Sequence, residues 1–213
     1  MLKNIIISIS TIFLLTACSF KMPEFLTFGS SINYEEELTE ANLCQVMENE
    51  SNKLYCYKNI ENKNSFAKIR LGTYYADKKE YQEALKYLNE AKENKNLFAN
   101  LPISFIYYKG EGVRKDINKS FELLKESSNI DPVAAFQLSR FYLQGINTKI
   151  DNEKGIELLN FAAQKGVFQA QEMLASIYKQ GMFEQPKDQV KYEYWLNKVK
   201  SNKEDLNHKI YIF

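Results

Sequence analysis

The sequence holds few of the residues that carry chemistry. It has one histidine, His208, one tryptophan and three cysteines among 213 residues. A lone histidine, with no cysteine or carboxylate cluster at ligand spacing beside it, argues against a zinc site. It also leaves no cysteine–histidine pair for nucleophilic catalysis. A glycine-rich phosphate loop is missing, because Gly110-Glu111-Gly112 has no strand before it. Charge of one sign is missing too. Against 28 Lys and Arg stand 27 Asp and Glu, a formal net charge of +1 that Lys3 accounts for. Phosphate contacts need concentrated Lys and Arg, so no nucleic-acid partner is expected. The apolar run Ile5–Leu15, broken by Ser8, Ser10 and Thr11, falls short of the roughly 20 residues of a spanning helix. Together these absences point away from an enzyme. No catalytic residue, metal or cofactor is expected.

What is there begins with a targeting segment. Lys3 followed by the apolar run has the layout of a secretory signal. The run ends in Leu15-Thr16-Ala17-Cys18. Two small residues before a cysteine, with leucine at the third place back, resemble the lipobox of bacterial lipoproteins. That resemblance implies cleavage before Cys18, acylation of Cys18 and anchoring to a membrane. Each buried methylene contributes about 0.8 kcal/mol, so two or more acyl chains hold stably. Ser19, in place of an aspartate, implies the outer membrane, with the domain facing the periplasm of a bacterial envelope. Residues 1–17 then form the signal peptide and 18–33 a lipidated tether. The tether contains Pro23, Gly29 and paired serines, and a flexible chain of its length spans about 20 Å. Its apolar residues Phe20, Met22, Phe25, Leu26 and Phe28 lie either on the lipid surface or on the first helix.

Two cysteines remain, Cys44 and Cys56. Export places them where disulfides persist, and an even pair suggests one bridge. It would close a loop of about 13 residues and stabilise by roughly 3 kcal/mol. The other reading is two buried free thiols. Tyr34 to about Glu50 is predicted as a helix, with Leu38, Ala41 and Val46 on one face and Glu35, Glu36 and Glu37 at its positive dipole end. Ser51-Asn52 is read as a break before a second short helix through Leu54-Tyr55-Cys56-Tyr57. A Cys44–Cys56 bond would staple this pair, residues 34–65, into an N-terminal cap.

From Phe66 the chain repeats itself. Leucine-like and tyrosine positions recur four apart: Leu71 with Tyr75, Ile103 with Tyr107, Leu138 with Tyr142, and Leu174 with Tyr178. An alanine precedes each by four: Ala67, Ala99, Ala134 and Ala170. A small residue follows each leucine-like position: Gly72, Ser104, Ser139 and Ala175. Gly110, Gly145 and Gly181 come three places after the last three tyrosines, which are spaced 32, 35 and 36 from their predecessors. Positions i, i+4 and i+8 form one buried stripe. The small residues let a paired helix approach closely. The glycines suit left-handed C-caps. Asp116, Asp151 and Asp188 then stand as N-caps of second helices. These carry their own stripes: Ala84, Tyr87 and Ala91; Ser120, Leu123 and Ser127; Gly155, Leu158 and Ala162; Tyr192, Trp195 and Val199.

This order of alanine, leucine, small residue, tyrosine, glycine and aspartate resembles the Sel-like repeat, a relative of the tetratricopeptide repeat. The first copy, with Lys79-Glu80-Tyr81-Gln82-Glu83-Ala84-Leu85, is closer to a plain tetratricopeptide. Four copies cover residues 66–200, followed by a tail, 201–213. Gly155 and Tyr192 occupy alanine slots, and Lys78 replaces the first copy's glycine. The resemblance implies an all-α fold, a right-handed α-solenoid of antiparallel helix pairs. It implies a groove along the first helices that takes a protein or peptide partner. By analogy the groove positions are Phe105, Tyr108 and Lys109, then Phe136, Arg140 and Gln144, then Ser176 and Lys179. Phe105 and Phe136 are read equally as groove or core. Such a floor suits an extended peptide carrying a carboxylate. The apolar tail Ile210-Tyr211-Ile212-Phe213 either docks over the exposed end of the last helix pair or is taken by a partner.

The function expected is a lipid-anchored scaffold for protein–protein interaction. The alternative is a pilotin-like lipoprotein that escorts one secretion or pilus subunit. A peptidoglycan-modifying hydrolase lacks the histidine–nucleophile arrangement it would need.

Overall fold

The computed structural model describes residues 33–202 and 205–213, and for 206–208 the backbone alone. Cys18, the signal segment and nearly all of the tether lie outside the described residues. Ten helices run as five antiparallel pairs. They are α1 (Tyr34–Gln45) with α2 (Glu50–Ile60), α3 (Ser65–Asp77) with α4 (Tyr81–Glu93), and α5 (Asn100–Lys109) with α6 (Ile117–Ser127). Then come α7 (Pro132–Gln144) with α8 (Asn152–Gln164) and α9 (Phe168–Gln180) with α10 (Gln189–Ser201). A short α11 (Leu206–Tyr211) ends the chain. No strand occurs among the described residues. The fold is an α-solenoid of helix pairs, as the repeat pattern predicts.

Each repeat is closed by the same tie. Past the first helix, the chain turns and returns one backbone N–H to the carbonyl of the repeat tyrosine. Glu80 donates to Tyr75, Asp116 to Tyr107, Asp151 to Tyr142 and Asp188 to Tyr178, at 2.8, 2.9, 3.0 and 2.9 Å. The aspartates then cap the second helix, accepting from the N–H groups of Lys119, Lys154 and Lys191. The ammonium of each capped lysine lies over the ring of the repeat tyrosine: Lys119 over Tyr107 at 3.8 Å, Lys154 over Tyr142 at 5.2 Å, Lys191 over Tyr178 at 4.9 Å. Such cation–π pairs contribute about 0.5–1 kcal/mol at exposed sites. The first copy has no lysine there, and Lys58 from α2 covers Tyr75 instead, at 5.4 Å. The glycines at 110, 145 and 181 adopt the left-handed cap, with φ of 77°, 66° and 72°. In the first copy Lys79 takes the left-handed turn, at φ 63°.

The small positions are spaces for leucines. A Cβ on Gly72 would come within 2.5 Å of Leu88, and one on Gly155 within 2.6 Å of Leu143. Gly155 is therefore no weakened alanine slot; it admits a leucine from the partner helix. The stripe itself is dry: Leu71, Ile103, Leu138 and Leu174, with the four alanines before them, are buried.

The N-terminal pair differs in two respects from its sequence reading. Helix α1 stops at Gln45 rather than near Glu50, so Val46 and Met47 lie beyond its end and face solvent. The reason is Asn49, whose side chain accepts the N–H of Asn52 at 2.8 Å and starts α2. Ser51-Asn52 is thus a first helical turn, not a break. Cys44 and Cys56 form a disulfide between α1 and α2, their Cα atoms 5.5 Å apart.

The tail departs most from expectation. It does not cover the last helix pair. Instead α11 lies against α3, at the other end of the solenoid. Ile210 and Tyr211 are buried there. The Tyr211 hydroxyl reaches the Phe98 carbonyl, at 3.1 Å, and the Asp131 carboxyl.

Gly155→Ala should destabilise the protein by about 1–3 kcal/mol, because overpacking against buried Leu143 outweighs the helix preference of alanine. Urea unfolding followed by circular dichroism measures this, and a gain in stability would contradict the packing account.

Candidate partner-binding groove

The residue two places after each repeat leucine is Thr73, Phe105, Arg140 or Ser176. These four positions share one face of the first helices. Two clefts open along it. One, of about 460 Å³, is lined by Thr73, Ala76, Asp77, Phe105, Lys109 and Glu111 among others. The second is a narrow slot of about 60 Å³, lined by Phe105, Tyr108, Gln137, Arg140, Phe141 and Ile146 with parts of α6. Phe105 edges both clefts and keeps 38% of its surface exposed. Helix geometry alone puts Phe105 and Lys109 on one stripe, four residues apart.

The predicted groove residues separate into three groups. Phe105, Tyr108 and Arg140 come together in the slot, where the Tyr108 ring packs on Phe141 at 5.7 Å. Lys109 lines the wider cleft, 3.6 Å from Glu111. Phe136 is a correction: it is buried in the core, because it is the counterpart of Ile69 and Leu101, both buried. Its neighbour Gln137 faces the slot instead. Gln144, Ser176 and Lys179 join neither cleft. Gln144 is exposed, Ser176 accepts a hydrogen bond from Gln180, and Lys179 lies 5.4 Å from the Tyr192 ring centre.

Thr73, Asp77 and Gln137 were not anticipated. The signal for Thr73 was the offset it shares with Phe105 and Arg140. The tail seat beside Thr73 was also not anticipated. The chain has only three arginines, and Arg70 is fully buried. Its Nε donates to the Ile210 carbonyl at 3.1 Å, and Nη2 to the Lys209 carbonyl. Nη1 donates to the Tyr57 hydroxyl at 2.8 Å, and Nη2 also to Asn42 Oδ1 at 2.6 Å. Arg70 therefore caps the carbonyl end of α11, the negative end of the helix dipole. Burial draws its guanidinium below the usual arginine range, and Tyr57 opposes this.

Asp131, at the start of α7, is fully buried. It accepts the Val133 N–H at 2.9 Å and pairs with Tyr211. Burial pushes its carboxyl up to about 7, against the pull of Tyr211 and the Ala134 and Val133 N–H groups. A protonated Asp131 can donate to Tyr211, which then donates to the Phe98 carbonyl, so both forms are hydrogen-bonded.

A third hollow, about 540 Å³, lies elsewhere, lined by Gln164, Lys165, Tyr194, Trp195, Lys198 and Asn202 among others. It is larger but wide and polar, and its lining includes neither Phe105 nor Arg140. Among the described residues no group of three or more His, Cys, Asp or Glu is placed to hold a metal ion. No described helix is long and apolar enough to cross a membrane.

A two-layer helical solenoid with an apolar, partly open row of first helices is a scaffold of the kind that mediates protein–protein interaction. The Sel1 repeat model matches residues 65–96, 103–129, 132–167 and 168–198. The chain belongs to the Sel1 repeat family. A Sel1 repeat protein from Oxalobacter formigenes shares the fold, with a TM-score of 0.65 and 24% identity, over 78% of this chain and 71% of that one. A protective antigen of uropathogenic Escherichia coli with an SLR fold aligns at a TM-score of 0.58 and 18% identity, over 80% of this chain and 39% of that one. The alginate biosynthesis protein AlgK of Pseudomonas syringae pv. tomato is 29% identical over 97 residues, 46% of this chain. The chain matches only 21% of the length of AlgK.

The Asp131 carboxyl sets a pH dependence. Its folded-state value lies above its ordinary value of 3.8, so folding favours the protonated form. The stability it supplies is full below that value and is lost as pH rises toward about 7. Asp131→Asn, which keeps a donor for Tyr211, should remove this component. The urea midpoint of the variant should rise relative to that of the wild type from pH 4 to pH 8, because only the wild type loses stability over that range; a constant difference would contradict the assignment.

Proposed function

We propose that this chain is a lipid-anchored envelope scaffold that holds a protein partner along its row of first helices. The observation that carries the reading is Phe105. A large aromatic side chain left open between two clefts, on a helix whose other apolar side chains are buried or half-buried, has the character of an interface anchor. Arg140 stands beside it, steadied by Gln137 at 3.0 Å and with no carboxylate partner among the described residues. An extended peptide segment with an apolar residue for Phe105 and a carboxylate for Arg140 fits this pair. The anchor reading rests on Leu15-Thr16-Ala17-Cys18, which lies outside the described residues, and Ser19 in place of an aspartate supports the outer membrane, with the domain facing the periplasm. A tethered domain meets its partner at a membrane surface, where local concentration favours capture.

In-cell crosslinking followed by recovery of the tagged protein tests the groove. Phe105→Ala and Arg140→Ala should each reduce recovery of the captured partner at least tenfold, with helicity unchanged. Undiminished capture by both variants would remove this face from consideration. Cys18→Ser should shift the protein from the membrane to the soluble fraction on cell fractionation, and retention in the membrane would exclude lipidation as the anchor.

A further inference from the structure

The seat of the tail continues the groove. Thr73 Oγ1 lies 3.0 Å from the Tyr211 carbonyl oxygen, and Thr73 also lines the cleft shared with Phe105. The first position of the row is therefore occupied by a segment of the chain itself, around Tyr211. The seat has the make-up of a peptide site. Arg70 takes two carbonyls at a helix end, Ile210 fills an apolar place, and Asp131 takes a phenol. The Phe213 ring rests on Tyr57 and Tyr74, with centroids 5.2 and 4.5 Å apart. Gln45 donates to the Ile212 carbonyl at 3.0 Å. Helix α11 has six residues, far below the ~12–15 at which an isolated helix becomes marginal in water. Its conformation is thus imposed by the seat, and another segment with the same features would be shaped the same way.

We propose that residues 206–213 are a built-in occupant of the partner groove, and that the partner docks through a short helix end carrying an aliphatic residue, a tyrosine and a further aromatic, which displaces the tail. This rests on the groove reading above. The tail has the advantage of its tether, which gives it an effective concentration in the millimolar range. The partner has the advantage of further contacts. Phe213 rests on Tyr57 and Tyr74, and residues 209–213 do not line the cleft between Thr73 and Phe105. A segment that fills the seat and runs on past Thr73 gains Phe105 and Arg140 as well.

The probe is a fluorescein-labelled peptide of residues Asp205–Phe213, titrated into the full-length protein and followed by anisotropy. Tyr211→Ala in the protein weakens the resident tail and should raise the affinity for the peptide at least tenfold over wild type. Phe213→Ala, a milder change, should raise it in the same direction. A peptide with its own tyrosine replaced by alanine should not bind. If neither variant binds the peptide while keeping wild-type helicity, the tail is a fixed part of the fold and the proposal fails. A wild-type dimer by light scattering, lost in Tyr211→Ala, would assign the seat to a second copy's tail and overturn it too. Phe105→Ala lies outside the seat and should leave peptide binding unchanged, so failure here and failure of the groove reading are separable.

Discussion

One backbone hydrogen bond sets the geometry of every repeat: the N–H that returns from the turn to the carbonyl of the repeat tyrosine. It fixes where the second helix starts relative to the end of the first. The connections differ, with five residues from Tyr75 to Glu80 and ten from Tyr178 to Asp188, yet they land on the same carbonyl. A carbonyl in the last turn of a helix lacks an intrahelical partner and costs free energy if it is buried unpaired. The returning amide satisfies it and makes the turn specific. With that bond made, the small residues at Gly72 and Gly155 meet the leucines of the facing helix, and the lysine after the cap meets the tyrosine ring. Packing, capping and cation–π contact all follow from one register.

A solenoid built of such units stabilises each unit through its neighbours, and its two ends are the places where neighbours run out. The first end is covered here. The disulfide-linked pair α1 and α2 packs on α3, and α11 lies beside it, held by the buried guanidinium of Arg70. The second end keeps Val190 and Tyr194 largely exposed. The asymmetry follows from chemistry: a buried arginine without a carboxylate needs carbonyl oxygens around it, and the free carbonyls of a short helix end supply them.

Much of the fold was legible because its signals are local and repeated. The leucine–tyrosine spacing, the glycine caps and the aspartate caps each depend on residues within one turn of one another. The groove was half legible. Analogy placed Phe105, Tyr108 and Arg140 on one face but put Phe136 one position off, because a helix drifts about 100° per residue and the choice between adjacent positions depends on which way the stripe rolls. The offset from the repeat leucine, read across all four copies, distinguishes Gln137 from Phe136. The seat of the tail was not legible at all. Arg70 and Ile210 are 140 residues apart, and no periodic pattern connects them. A charged residue on the inner side of a first helix was the lone hint, and a single sequence does not distinguish it from a surface arginine.

The path of α11 also makes the molecule a counting device. Most helical-repeat chains grow or shrink by whole units, since an added unit needs only the face of the previous one. Here the strand of chain after α10 must reach back to Arg70 near the first unit. Packed helices sit roughly 8–10 Å apart, so one more pair would carry the end of α10 that much farther from its target. The contact of Lys209 and Ile210 with Arg70 thus ties the end of α10 to the first repeat, and inserting a pair between them would strain that contact.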